Sequence, residues 1–123
     1  MAKPVEVQFS TTAYADFLEL QKQVSIEQGQ GKKSSFNMQL LKAICREMQN
    51  LKANPWMGDH IPRQVISKNV FARYKTDRLW RVELVGYWRL IYTVSGDSIK
   101  IVDVVLKFMD HKTYDKVFGY KKK

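Results

Sequence analysis

At 123 residues the chain has room for one domain with a single modest core. Hydrophobic residues make up 45% and charged residues 27%, a globular balance, and no apolar run approaches the roughly 20 residues of a membrane span. The net charge is +9 and uneven: residues 1–55 carry seven Lys and Arg against five Asp and Glu, residues 56–123 fourteen against seven; a basic second half points to a polyanionic partner or, more blandly, to solubility alone.

In chain order, "MAKPVEVQF" has no apolar signal core and alternates like a short strand over Val5 to Phe9. "STTAYADFLELQKQV" opens on capping hydroxyls, and Tyr14, Phe17, Leu18 and Val24 recur near helical spacing, predicting a first helix from about 11 to 28. "GQGKKSS" breaks it and offers a Ser-Ser cap for the next. A second helix places Phe36, Leu40, Leu41, Ile44, Met48 and Leu51 on one face and ends at Asn54-Pro55, because a residue before proline avoids helix. Cys45, the one cysteine, excludes an internal disulfide; it is expected on the buried face of this helix, and a reducing cytoplasm is the simplest compartment. The two helices read as an antiparallel hairpin that needs a sheet to cover.

The second half supplies that sheet. "PWMGDHIPR" reads as a loop, with Trp56 and Trp80 expected in the core. The β-branched and aromatic content of "QVISKNVFARY" reads as strand, followed by "LWRVEL", "WRLIYTV" and "IKIVDVVLKF", joined by tight turns at "VGY" and "SGD" before Ser98. "DHKTYDKVFGYKKK" closes the chain as a short helix or tail. The expected class is α+β: an N-terminal strand and a two-helix hairpin packed on a twisted antiparallel sheet of about four strands, all one domain over 1–123.

Metal-binding and nucleotide-binding motifs are absent: there is no CxxC, HExxH, phosphate-binding glycine loop or GxSxG. His60 and His111 stand far apart, and no carboxylates are paired, so neither a metal nor a cofactor is expected. What remains is a polar set. Arg81, Glu83 and Arg89 share one face of two neighbouring strands if the hairpin pairs as read; Lys107 ends the next strand, and His111 and Tyr114 follow. Arg, Lys, His and Tyr suit RNA cleavage by the RNA's own 2′-hydroxyl. That reaction needs a base at the 2′-oxygen, cations around the phosphate and an acid for the departing 5′-oxygen. Each residue has a plainer role available: Arg89 paired with Glu83 across the hairpin, His111 capping or packing the tail, Tyr114, Phe118 and Tyr120 pinning the C-terminus, Lys121 to Lys123 a solvated tail.

"LWRVELVGYWRLIYTV", the strand "IKIVDVVLKF" and the ending "DHKTYDKVFGY" together resemble the RelE/ParE toxin superfamily of toxin–antitoxin pairs, most strongly over residues 78–120. The resemblance implies a small basic toxin held inactive by a wrapping antitoxin. RelE-type members cut mRNA in the ribosomal A site without metal; ParE-type members bind DNA gyrase and cut nothing. Residue by residue, it implies phosphate-holding roles for Arg81 and Arg89, acid–base work for His111, and base stacking or proton transfer for Tyr114. Glu83 departs from it, standing where a lysine is implied, and Phe108 stands where an arginine would brace the transition state, with Lys107 as its substitute.

The expectation is therefore a RelE-like endoribonuclease acting on ribosome-bound mRNA, with no membrane partner. Arg81, Arg89, His111 and Tyr114 would be catalytic, and Arg63, Lys68, Arg73, Lys75, Arg78, Lys107 and Lys112 would contact RNA. The alternatives are a non-catalytic ParE-like toxin on a protein target such as gyrase, or a degenerate member that binds only its antitoxin.

Overall fold

A computed structural model describes residues 3–97 and 100–119. Strand β1 (Val5–Phe9) runs into helix α1 (Thr11–Gly29), whose first turn is capped by Ser10, its Oγ accepting from the Ala13 amide at 3.1 Å. Helix α2 (Phe36–Ala53) is capped the same way by Ser35, accepting from Met38 N at 3.1 Å, and ends before Pro55 as the sequence predicts. Ser35 and Asn37 also bond the Glu27 carboxylate, which ties the start of α2 to the end of α1 and holds that carboxyl below its ordinary range.

The second half adds the short strand β2 (Asp59–His60), a 3-10 turn at Arg63–Val65 and helix α3 (Lys68–Tyr74). Strand β3 (Trp80–Glu83), a turn at Val85–Tyr87, strand β4 (Arg89–Gly96), strand β5 (Ile101–Met109) and helix α4 (His111–Phe118) follow. The sheet order is β1-β5-β4-β3-β2. β1 lies parallel to β5, and the other pairs are antiparallel. The sheet is thus mixed and five-stranded among the described residues, not antiparallel and four-stranded. The helical hairpin returns the chain to the far edge, so β1 joins β5 in the same direction.

Helices cover both faces. On one, Leu40, Ile44 and Leu51 of α2 and Ala13 of α1 pack on Val82, Leu90, Tyr92, Val105 and Phe108. On the other, Val70 of α3 and Tyr114 and Phe118 of α4 pack on Leu79, Ile91, Leu106 and Met109. Neighbours such as Leu90 and Ile91 therefore feed opposite cores, which is why "RLIY" and "VVLKFM" are apolar at successive positions rather than alternate ones. A register shift opposite Ile91 and Tyr92, which pair with Lys107 and Val105, inserts Leu106 as an extra residue and re-aims Lys107.

Several expectations are corrected. "SKNVFARY" is helix α3, not strand: Ser67 Oγ accepts from Val70 N at 3.2 Å, Val70 and Tyr74 face the core four residues apart, and Lys75 ends the helix in the left-handed region at φ 62°. In α1 the inward stripe is Ala13, Phe17, Leu20 and Val24, while Tyr14 and Leu18 are exposed. Cys45 faces solvent. Trp56 is 55% exposed rather than core, resting edge-on against the half-buried Trp80. Ser98, Tyr120 and Lys121 to Lys123, read as turn and tail, lie outside the described residues.

The tail is helical because Asp110 caps it, its carboxylate accepting from Thr113 N at 2.8 Å; those bonds to Thr113 hold the Asp110 carboxyl below its ordinary range. Asp110→Ala is expected to cost stability, read as a lower midpoint in a denaturant melt. A lowered folded-state pKa contributes stability above the unfolded value near 4 and loses it as pH falls, so the cost should vanish in acid.

Candidate active site

The hairpin register pairs Glu83 with Arg89 and Arg81 with Ile91, so all three polar side chains leave the sheet on the α3/α4 side, as the alternation predicts. There the two arginines meet Tyr114, which α4 delivers from its first turn onto Phe118, the two ring centroids 4.8 Å apart. The guanidinium carbon of Arg89 lies 4.8 Å from the Tyr114 ring centre and that of Arg81 5.3 Å from it. Arg81 Nη1 also donates to Tyr114 Oη at 3.1 Å. Two permanent cations thus share one phenol.

Among the described residues each arginine leans on a carboxylate. Arg89 Nη2 is 3.4 Å from Glu83, and Arg81 Nε is 3.9 Å from Asp59. Asp59 is in place because the loop before it is sealed to the sheet: buried Tyr92 Oη donates to Pro55 O at 3.1 Å and accepts from Gly58 N at 3.0 Å. A Cβ on Gly58 would stand 2.7 Å from the Arg81 carbonyl, so only glycine allows this approach. Burial pushes the Tyr92 hydroxyl up to about 12.

Arg89 is only 14% exposed at its side chain, and its Nε is buried with no hydrogen-bond partner among the described residues. Its Nη1 donates to the Tyr87 carbonyl at 3.2 Å. Gly86 and Tyr87 form the turn, at φ 65° and 64°, and Trp88 N donates back to Val85 O at 3.3 Å. Positive φ at both central positions matches the twist of a tight hairpin. Gly86 takes it freely; Tyr87 bears about 1 kcal/mol for it. The Tyr87 ring projects into solvent and meets His111 at 5.7 Å and 65°. His111, the first residue of α4, therefore lies against Tyr87, whose carbonyl accepts from Arg89.

Of the other basic residues, Lys68, Arg73 and Lys75 lie on or just after α3 and Lys112 on α4, all exposed on the same side of the sheet as the arginines. Arg63 pairs with Asp77 at 3.5 Å, and Arg78 is exposed ahead of β3. Lys107 is drawn to α1, where Asp16 holds it at 3.1 Å. Phe108 is buried in the core under the helical hairpin. Tyr114 is 1% exposed, with guanidinium groups over its ring and Phe118 against it, which leaves no room for a base to stack. Sequence reasoning missed Asp59 and Tyr87; the glycine before each was the available signal. Among the described residues no three of His, Cys, Asp and Glu gather as an ion would need, and no helix is long and apolar enough to cross a membrane.

No protein-family model and no curated protein matches the chain. The structure is similar to a YoeB/ParE toxin from Agrobacterium tumefaciens, at 17% identity and a TM-score of 0.53, over 86% of this chain and 98% of that one. The likeness runs over nearly the whole of that toxin, and the chain has its fold.

Proposed function

We propose that this protein is the toxin of a toxin–antitoxin pair and cleaves mRNA on the ribosome without metal. The observation that carries the reading is the convergence of Arg81 and Arg89 on Tyr114 beneath a basic face. Two guanidinium groups that converge on one ring repel each other, and a phosphate bound by both relieves that repulsion while presenting oxygens to both planar forks. As the 2′-oxygen attacks, negative charge grows on the non-bridging oxygens, and fixed cations stabilise it without reorganising. His111, exposed beside Tyr87, serves as general base or acid. The Tyr114 hydroxyl orients Arg81. Lys68, Arg73, Lys75, Arg78, Arg63 and Lys112 attract the backbone and set its path. An acidic antitoxin segment covering this face would block the cleft.

A ParE-like, non-cleaving toxin is the second reading. Glu83 occupying the Arg89 fork and Asp16 holding Lys107 favour it, since both reduce the charge free for a phosphate. Primer extension on an mRNA translated in a cell-free system separates the two. Cleavage should give cuts within translated codons, a cyclic phosphate or 3′-phosphate end, and no cut where the preceding ribose carries a 2′-O-methyl group. Absence of cutting with inhibited gyrase supercoiling would establish the second reading instead. Ribosome co-sedimentation should weaken about tenfold or more between 50 and 200 mM salt, as expected if two or more phosphates are neutralised.

A further inference from the structure

We propose that Tyr87 is the base-stacking residue of this site, holding the base next to the scissile phosphate on the tip of the β3–β4 hairpin. The inference rests on the cleft reading above. Tyr114, the tyrosine that the resemblance implies for stacking, is sealed beneath the arginines and cannot receive a base. Tyr87 is its converse: at 70% it is the most exposed large hydrophobic side chain among the described residues. A tyrosine gains nothing for the fold there. Its ring joins neither core, and its backbone sits in a left-handed conformation that Asn or Gly takes more easily. A strained, unpacked residue next to a cleft reads as functional.

The geometry fits a nucleotide. The Tyr87 carbonyl accepts from Arg89 Nη1, so the backbone that carries the ring lies within one hydrogen bond of the guanidinium that would hold the phosphate. His111 meets the ring at 65°, so the two rings form an open corner rather than a closed stack. A base on Tyr87 would bring its own ribose toward His111. Every base has a π-face, so stacking would tolerate sequence, with purines favoured by area.

The test uses ribosomes programmed with mRNA that carries a 2′-O-methyl block and 2-aminopurine at each A-site position in turn. Wild type should bind and quench one of the three positions. Tyr87→Phe and Tyr87→Trp should keep affinity and quenching. Tyr87→Asn should lose the quench and about 10-fold in affinity while melting at the same temperature or higher, because asparagine suits the turn. A merely structural Tyr87 cannot combine lower affinity with equal or greater stability. Wild-type affinity and quenching in Tyr87→Asn overturns the stacking role and leaves the nuclease reading standing. Loss in Tyr87→Phe equal to that in Tyr87→Asn also overturns it, as does binding without quenching at any position. Wild type that does not bind programmed ribosomes even at low salt overturns this inference and the nuclease reading together.

Discussion

Arg89→Ala is expected to lower mRNA cleavage about 100-fold, the scale on which one preorganised donor supports a developing oxyanion, equivalent to roughly 2.7 kcal/mol of barrier. The fold should survive. The ion pair to Glu83 bridges to a carboxylate that is half exposed and contributes at most about 1 kcal/mol. The guanidinium over Tyr114 contributes a similar amount. The melting temperature should therefore drop by at most about 8 °C while activity collapses. Arg89→Lys keeps the charge but not the fork and should recover only part of the activity. Glu83→Gln makes the opposite change: it releases the Arg89 fork and removes a negative charge beside the phosphate, so cleavage should rise. A stable Arg89→Ala protein with full activity would sink the catalytic role. Loss of activity that follows loss of fold across all three variants would make Arg89 a structural residue.

That a charge in the middle of "GYWRLIYTV" should be paired across the hairpin with Glu83 was legible, because register follows from alternation and the turn. The convergence on Tyr114 was only half legible. Sequence spacing placed Arg81 and Arg89 on one face, but what covers that face depends on where α4 docks, a tertiary matter that no local pattern encodes. Helix α3 was misread for a related reason. Val70, Phe71 and Tyr74 are good strand formers, yet a serine cap and packing at i and i+4 outweigh that preference. The partner of Arg81 was missed because β2 is two residues long and rests on the Tyr92 hydroxyl, a contact made 34 residues away in sequence. Tyr87 was legible only as a turn residue. Its exposure became informative once Tyr114 was seen to be buried.

The other large effect lies on the opposite face of the sheet and has nothing to do with RNA. Asp103 interrupts the apolar run of β5, opposite Val7 on one side and Val94 on the other. Its side chain is fully buried, and neither carboxylate oxygen has a hydrogen-bond partner among the described residues. Burial pushes its carboxyl up to about 7. An unfolded aspartate titrates near 4, so between about pH 4 and pH 7 the unfolded chain gives up a proton that the folded one keeps. Stability must then fall as pH rises through that window and level off above it, by on the order of 4 kcal/mol in all. Asp103→Val fills the site with a strand-forming side chain of similar volume and removes the proton linkage. Guanidinium unfolding at pH 5 and pH 8 should find the wild type about 3 kcal/mol less stable at the higher pH, while Asp103→Val loses much less over the same interval. Asp103→Asn should fall between the two, since it abolishes the charge but leaves an amide unpaired. Cleavage by Asp103→Val should match wild type at a pH where both are folded, because the arginine pair projects from the other side of the sheet. Parallel pH profiles for wild type and Asp103→Val would show that the buried carboxylate has found a partner and contributes nothing to the linkage.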